Sequence, residues 1–252
     1  MKGYILDDIK GGLATISFYH PAHNSLPGHL LAELSLAIQE AGEDPDVRVI
    51  LLRSEGEKSF CAGASFDELA SISDFAAGKQ FFLGFARVIL AMKNCPKPIV
   101  GRIQGKAIGG GVGLASAMDY PIATQYASIR LSELAVGIGP FVIGPAVERK
   151  MGASIFQKLA LSPDEWQTAA WAKQHGLYHE VFDTAEQMDA YLEVFIASLL
   201  QFNPEALCEL KRVFWSNTDH WENLLDERAG ISGRLVLSEF CKTAIQKFKQ
   251  KS

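Results

Sequence analysis

Apolar and polar positions partly alternate over Leu13–Phe18, after a turn at Lys10-Gly11-Gly12, and the residues before that turn also read as a strand. The chain therefore opens as a hairpin. From Leu26 to Ala41 the period changes: Leu30, Leu31, Leu34, Ala37, Ile38 and Ala41 recur at helical spacing. Val47–Arg53 is then a nearly continuous apolar run, suited to a strand buried on both faces. The order β, β, α, β repeats. A helical stretch over Gln80–Met92 stops before Cys95-Pro96, and a strand over Pro98–Gly105 runs into IGGGVGLASAMD, Ile108–Asp119. SPDEW reads as a helix start, with Ser162 as N-cap, Pro163 in the first turn and Glu165 three residues on; Gly176 closes that helix. Beyond Asp183 the pattern is helical, over Thr184–Leu200, Pro204–Trp215 and about Trp221 to Phe248, with a joint at Asn203-Pro204. The expectation is an α/β core over 1–183 and an all-α region over 184–252.

Composition narrows the partners. The 252 residues are 48% hydrophobic and 21% charged, as in a soluble globular protein, with a formal net charge of −5. No basic stripe is present, which argues against nucleic acid. Cys61, Cys95, Cys208 and Cys241 show no zinc-ligand spacing, and MKGYILDDIK lacks the apolar run of a signal peptide. Apolar stretches such as Val47–Leu52 fall short of the roughly 20 residues that span a bilayer. A cytoplasmic protein with reduced thiols and no membrane partner is expected.

The glycine cluster Gly109, Gly110, Gly111 and Gly113 asks for a tight turn or for a ligand pressed against the main chain. GRIQGK, Gly101–Lys106, imitates a phosphate-binding loop but is one residue short, and Ala107 stands where Ser or Thr would hold magnesium. The dinucleotide pattern G-x-G-x-x-G fails at Leu114 or Ser116, and no G-x-S-x-G elbow exists.

Two segments taken together, SFCAGASFDEL at Ser59–Leu69 and GKAIGGGVGLASAMD at Gly105–Asp119, resemble the crotonase (enoyl-CoA hydratase/isomerase) family. The resemblance extends over nearly the whole chain. It takes in HPAHNSL at His20–Leu26, LSELAVGIGP at Leu131–Pro140 and the stretch from Leu159 to Phe182. It implies a spiral of β-β-α units with a C-terminal helical tail, assembled as trimers or pairs of trimers. It also implies chemistry through an enolate of an acyl-CoA thioester, with coenzyme A as part of the substrate and no metal or separate cofactor. By motif position, the backbone N–H groups of Ala64 and Gly110 would form the oxyanion hole, each worth about 3–4 kcal/mol, aided by the dipole of a helix starting there. Ala62, Gly63, Gly109, Gly111 and Gly113 would line the substrate.

The acid/base groups depart from the family's hydratases. Those carry one carboxylate three residues after the oxyanion glycine, where this chain has Gly113, and a second about twenty residues on, which matches Glu133. Two readings of Glu133 are open: a buried proton carrier with a raised pKa, or a structural glutamate paired with a neighbour such as Arg130. As a lone base it suits moving a double bond in an enoyl-CoA better than adding water across one. Hydration, decarboxylation of a malonyl-type acyl-CoA and catalytically silent acyl-CoA binding are the alternatives. Phe141 departs from the family's glycine-rich segment and reads either as a determinant of acyl selectivity or as core packing.

His20 and His23 lie in the loop that, by resemblance, borders coenzyme A. Lys242, Lys247, Lys249 and Lys251 could meet its phosphates or form a solvated charged end. Cys61 reads as a small buried residue, and Trp215 and Trp221 as packing or subunit contacts. The tail carries Phe195, Leu199, Leu200, Phe214, Trp215 and Leu224, more apolar surface than a small appendage buries within itself, which predicts a homotrimer or hexamer.

Overall fold

Gly11 and Gly12 take φ of 58° and 90°, a region that only glycine enters freely, and so turn β1 (Tyr4–Lys10) back onto β2 (Leu13–Tyr19) as an antiparallel hairpin. The computed structural model describes residues 2–249. The helical stripe becomes α1 (Gly28–Glu43), which buries Leu30, Leu31, Leu34, Ile38 and Ala41. Next come β3 (Val49–Ser54), β4 (Ser59–Cys61), α2 (Phe66–Ser71) and α3 (Phe75–Asn94). A second turn of the spiral supplies β5 (Ile99–Ile103), β6 (Lys106–Ile108) and α4 (Gly110–Ala117). A third supplies β7 (Tyr120–Thr124), β8 (Ile129–Arg130) and a short 3-10 helix, Glu133–Val136. Each turn lays one strand in a large sheet of order β1-β2-β3-β5-β7-β9 and one in a small sheet of order β4-β6-β8. All pairings after the first hairpin are parallel.

The expectation for the apolar strand is met: Ile50 and Leu52 join the main core, while Val49 and Leu51 face a second cluster with Met188, Leu192 and Ile196. Alternate side chains of a strand point to opposite faces, so a continuous apolar run marks a sheet covered on both sides. α3 is long and apolar enough, by length and composition, to cross a membrane, which the shorter runs considered above are not. Here it lies in the core, burying Phe81, Phe82, Phe85, Val88 and Ile89.

After α5 (Gly144–Met151) and α6 (Ala153–Leu161) the expected helix start at Ser162 is corrected. Ser162 ends α6, its N–H bonding Lys158 O, and α7 (Ala169–Gln174) begins only after Thr168, whose hydroxyl caps Trp171 N at 3.1 Å. Gln167 exchanges two backbone hydrogen bonds with Ile129, at 2.9 and 3.0 Å. That bridge to the small sheet holds the segment extended and overrides the local capping signal. Gly176, at φ 80°, does close α7.

The remaining elements are β9 (Val181–Phe182), α8 (Ala185–Leu199), α9 (Pro204–Phe214), α10 (Trp221–Leu235) and α11 (Glu239–Lys249). Much of the tail's apolar surface is buried by its own chain. Phe195, Leu199 and Leu200 pack on the second cluster, and Trp215 and Trp221 are buried edge-to-face at 5.6 Å. Asp119 clamps α9 to the core by accepting from Lys211 Nζ at 2.6 Å, Trp215 Nε1 at 3.0 Å and Ile99 N at 2.7 Å. Phe202, Leu210, Val213 and Phe214 stay about half exposed.

Candidate active site

The loop His20–Leu26 is held in shape by Asn24, a residue that sequence reasoning passed over. His23 and Asn24 both have positive φ, at 54° and 57°, a conformation that asparagine tolerates better than most residues. Its side chain accepts from His20 N at 2.9 Å and donates to Glu55 O and Ser59 O at 2.8 and 2.9 Å. The loop is then stitched to the glycine segment after β4: Ala62 N donates to His23 O at 3.1 Å, and Leu26 N to Gly63 O at 2.8 Å.

Gly63, at φ 83°, brings that segment against the start of α4. A β-carbon on it would lie 2.8 Å from Ile108 O and 3.2 Å from Gly110 N. Ala64 and Gly110 thus line the same cleft, and neither backbone N–H has a hydrogen-bond partner among the described residues. Gly110 is the first residue of α4, where the helix leaves N–H groups unsatisfied and concentrates positive potential. Its absent β-carbon makes room for Phe85, whose Cζ would be 2.8 Å away. Gly111 is equally constrained, against Cys61. Cys61 is buried, and that burial pushes its thiol up to about 12, so it is a packing residue rather than a nucleophile.

Gly109 serves another purpose. At φ 51° and ψ −115° it occupies backbone space unsuited to a side chain, and a β-carbon there would come within 2.8 Å of Glu133 Oε1. The bare backbone lets the Glu133 carboxylate approach the turn that holds Gly110. Glu133 opens the 3-10 helix after β8, and its Oε2 is buried with no hydrogen-bond partner. Burial pushes its carboxyl up to about 7, outweighing a backbone hydrogen bond and the attraction of Arg130. The structure does not support the pairing with Arg130: no ion pair joins them among the described residues, and the Arg130 guanidinium lies over the Trp166 ring at 4.7 Å.

Most of the remaining lining is hydrocarbon. A β-carbon on Gly113 would lie 2.6 Å from Ile143 Cβ and overlap its Cγ2, so Ile143 fills the space in front of that position. Ala62, Gly63, Ala64, Gly109, Gly110, Glu133 and Phe141 all line one inner pocket, completed by Phe66, Phe82, Phe85, Ile143 and Ser232. Gly111 and Gly113 back it from α4 without lining it. Glu133 is the one ionisable side chain in that lining among the described residues. Phe141 folds back on Gly139, with ring atoms 2.6 Å from where a β-carbon would be.

Ala62, Ala64, Phe66, Ser132 and Val136 also belong to a larger outer groove, bordered by His20, His23, Arg130, Phe240 and Lys247. The loop histidines and one of the C-terminal lysines therefore border the groove that adjoins the inner pocket. Lys242 is instead paired with Glu239 at 3.0 Å. Lys251 and the side chain of Lys249 lie outside the described residues.

Residues 8–251 match the enoyl-CoA hydratase/isomerase family. The chain is 29% identical over 242 residues to the probable enoyl-CoA hydratase of Bacillus subtilis, covering 95% of this chain and 93% of that one. It is 33% identical over 183 residues to the human mitochondrial methylglutaconyl-CoA hydratase, covering 72% of this chain and 53% of that protein. Among solved structures, an enoyl-CoA hydratase from Mycobacterium avium subsp. paratuberculosis superposes with a TM-score of 0.86 at 25% identity, covering 98% and 96% of the two chains. One from Bacillus halodurans reaches 0.89 at 20% identity, covering 97% and 99%. With this spiral fold and a match running almost end to end, the chain belongs to the enoyl-CoA hydratase/isomerase family of crotonase-fold enzymes.

Proposed function

We propose that the protein is an acyl-CoA enzyme that moves a double bond from C3 to C2 of an enoyl-CoA, with Glu133 as its single proton carrier. One observation carries this reading: the inner pocket presents one carboxylate, and Ile143 fills the space in front of Gly113, where a second would stand. The ionised Glu133 takes a proton from C2 of the 3-enoyl thioester, and the electron pair moves onto the thioester oxygen. The Ala64 and Gly110 N–H groups hold that enolate oxygen. As the enolate collapses, Glu133 returns its proton to C4, leaving the conjugated 2-enoyl-CoA and a carboxylate ready for the next cycle. A carboxyl near pH 7 in its tendency to ionise suits a group that must take and give one proton in turn. Coenzyme A enters as part of the substrate, in the outer groove beside His23, and the scheme draws on no metal or separate cofactor.

Hydration is the second reading, favoured by the names of the relatives. It would require Glu133 both to activate water and to supply the α-proton. Matched 3-enoyl-CoA and 2-enoyl-CoA substrates, with products separated by chromatography, distinguish the two. Isomerisation with slow hydration is expected; fast hydration without isomerisation overturns the proposal. Inactivity on both would point to decarboxylation or silent binding.

The exposed Phe202, Leu210, Val213 and Phe214 support assembly as a homotrimer or hexamer. A stable monomer in sedimentation at micromolar concentration would refute that.

A further inference from the structure

The inner pocket is small, with a volume of about 70 Å³. It shares Ala62, Ala64, Phe66, Ser132 and Val136 with the outer groove, which marks that side as its mouth. Phe82, Phe85, Phe141 and Ile143 line the pocket and not the groove, so they close it away from the mouth. Their packing braces them. Phe81 meets Phe82 edge-to-face at 5.3 Å and Phe85 at 6.4 Å. Phe85 also lies against Gly110, and Ile143 against Gly113. Side chains held on two sides yield to a ligand only by repacking their neighbours.

Phe141 differs from the other three. Phe82, Phe85 and Ile143 are buried in the core, whereas Phe141 is only partly buried, so more of its ring is left to face the cavity. Its Cε2 and Cζ both lie 2.6 Å from where a β-carbon on Gly139 would be, and Phe141 N donates to Gly139 O at 2.8 Å. A side chain at Gly139 would push the ring away; its absence lets the ring stay in the lining. The charge pattern of the cavity is equally restrictive. Glu133 is its one ionisable group among the described residues, and Ser132 and Ser232 supply the other polar side chains. No cation lines it, so a carboxylate carried on the acyl group would be buried unpaired in a cavity that already holds one carboxylate.

We infer that the substrate's acyl group is short and uncharged, with about four carbons counted from the thioester carbon, and that Phe141 sets this limit. A dry apolar cavity of about 150 Å³ takes up benzene, a ring of six carbons. A space of about 70 Å³ therefore suits roughly three carbons. Ala64, which borders both cavities, places the thioester carbon at the mouth, so the three carbons inside are C2 to C4. Four carbons are also the fewest on which a double bond can pass from C3 to C2. The inference rests on the acyl-CoA reading above and names its substrate class.

Saturated thioesters test it, because they bind without reacting. Calorimetric titration would compare acetyl-CoA, butanoyl-CoA, octanoyl-CoA and succinyl-CoA. Butanoyl-CoA should bind about tenfold more tightly than acetyl-CoA, since two further methylenes are buried. Octanoyl-CoA should bind at least about tenfold more weakly than butanoyl-CoA, because its last four carbons have to displace packed side chains. Succinyl-CoA should also bind at least about tenfold more weakly, through its unpaired carboxylate. Phe141→Ala should raise the affinity for octanoyl-CoA relative to butanoyl-CoA by at least about tenfold. Phe141→Leu should move the same ratio less far in the same direction, and it carries the test if the alanine variant fails to fold. Octanoyl-CoA or succinyl-CoA bound as tightly as butanoyl-CoA overturns the inference, and a ratio unmoved by either variant overturns the assignment to Phe141. Thioesters that bind in the expected order to a protein that leaves 3-butenoyl-CoA unchanged support the inference and overturn only the proposed reaction. Isomerisation of 3-octenoyl-CoA without this binding order overturns only the inference, and failure to bind any thioester overturns both.

Discussion

The surroundings of Glu133 and of Gly113 differ in one respect that bears on the chemistry. Glu133 presents a carboxylate with a buried, unbonded oxygen, drawn against the bare backbone of Gly109. At Gly113 there is no side chain, and Ile143 occupies the space. A missing side chain alone would leave a hole for water. A missing side chain whose volume a branched hydrocarbon occupies leaves neither a base nor room for the nucleophile that base would activate. The asymmetry is therefore built by packing as well as by the loss of an acid.

The sharpest way to break this comparison is to remove the carboxylate. Glu133→Gln keeps the shape but cannot take a proton, and turnover of a 3-enoyl-CoA should fall by about 10²–10⁴. Binding of a saturated thioester, followed by calorimetry, should be little changed. If turnover survives, Glu133 is structural and the base lies elsewhere.

Gly110→Ala attacks the oxyanion turn. Its methyl would run into Phe85, displacing either the ring or the N–H, and loss of one aimed donor costs about 10²–10³ in rate. Steady-state kinetics alongside a circular-dichroism spectrum would separate a damaged site from a damaged fold. Normal turnover would reduce Gly110 to a turn residue.

The pH profile sharpens the comparison without mutation. Glu133 must be ionised to take the first proton, and burial raises its carboxyl to about 7. kcat/KM should therefore rise with pH and level off above about 7, falling up to tenfold per unit on the acid side. The same burial makes the ionised form a burden on the folded state. The stability tied to this group is fully present below the ordinary glutamate range and is lost as pH rises through about 7. A kinetic break near the ordinary glutamate range would mean that the carboxylate is solvated in the working enzyme.

The gentlest change tests Gly113. Gly113→Glu should not install hydration, because the new side chain meets Ile143, and overpacking of this kind typically destabilises by about 1–3 kcal/mol. Adding Ile143→Ala should recover stability and allow measurable hydration of a 2-enoyl-CoA. Hydration by the single Gly113→Glu variant would show that Ile143 yields and that the space is not closed.

Much of this was legible along the chain, because it rests on local periodicity or on backbone freedom. The hairpin at Gly11-Gly12, the α1 stripe, the two-faced strand β3 and the glycine turns at Gly63 and Gly109 to Gly111 all announce themselves through spacing and residue type. So does the pairing of a lone Glu133 with a glycine at position 113, through the family resemblance. The Ser162 helix start failed because a capping box is a local preference, and the bridge from Gln167 to Ile129 joins residues that only the fold makes neighbours. That Arg130 lies over the Trp166 ring and makes no ion pair with Glu133 is likewise a matter of tertiary contact. Asn24 carries no local signal, since its side chain acts by bonding two carbonyls distant in the chain. Ile143 and Ser232 carried no signal at all, since filling a gap or facing a cavity is a property of what stands opposite. By itself the sequence determined most of the helices and strands and where the main chain lies bare, for those follow largely from each residue's own torsional and burial preferences. Which groups share a pocket, and which side chain fills the space at Gly113, was decided by the tertiary structure, because burial and contact are set by segments far apart in the chain.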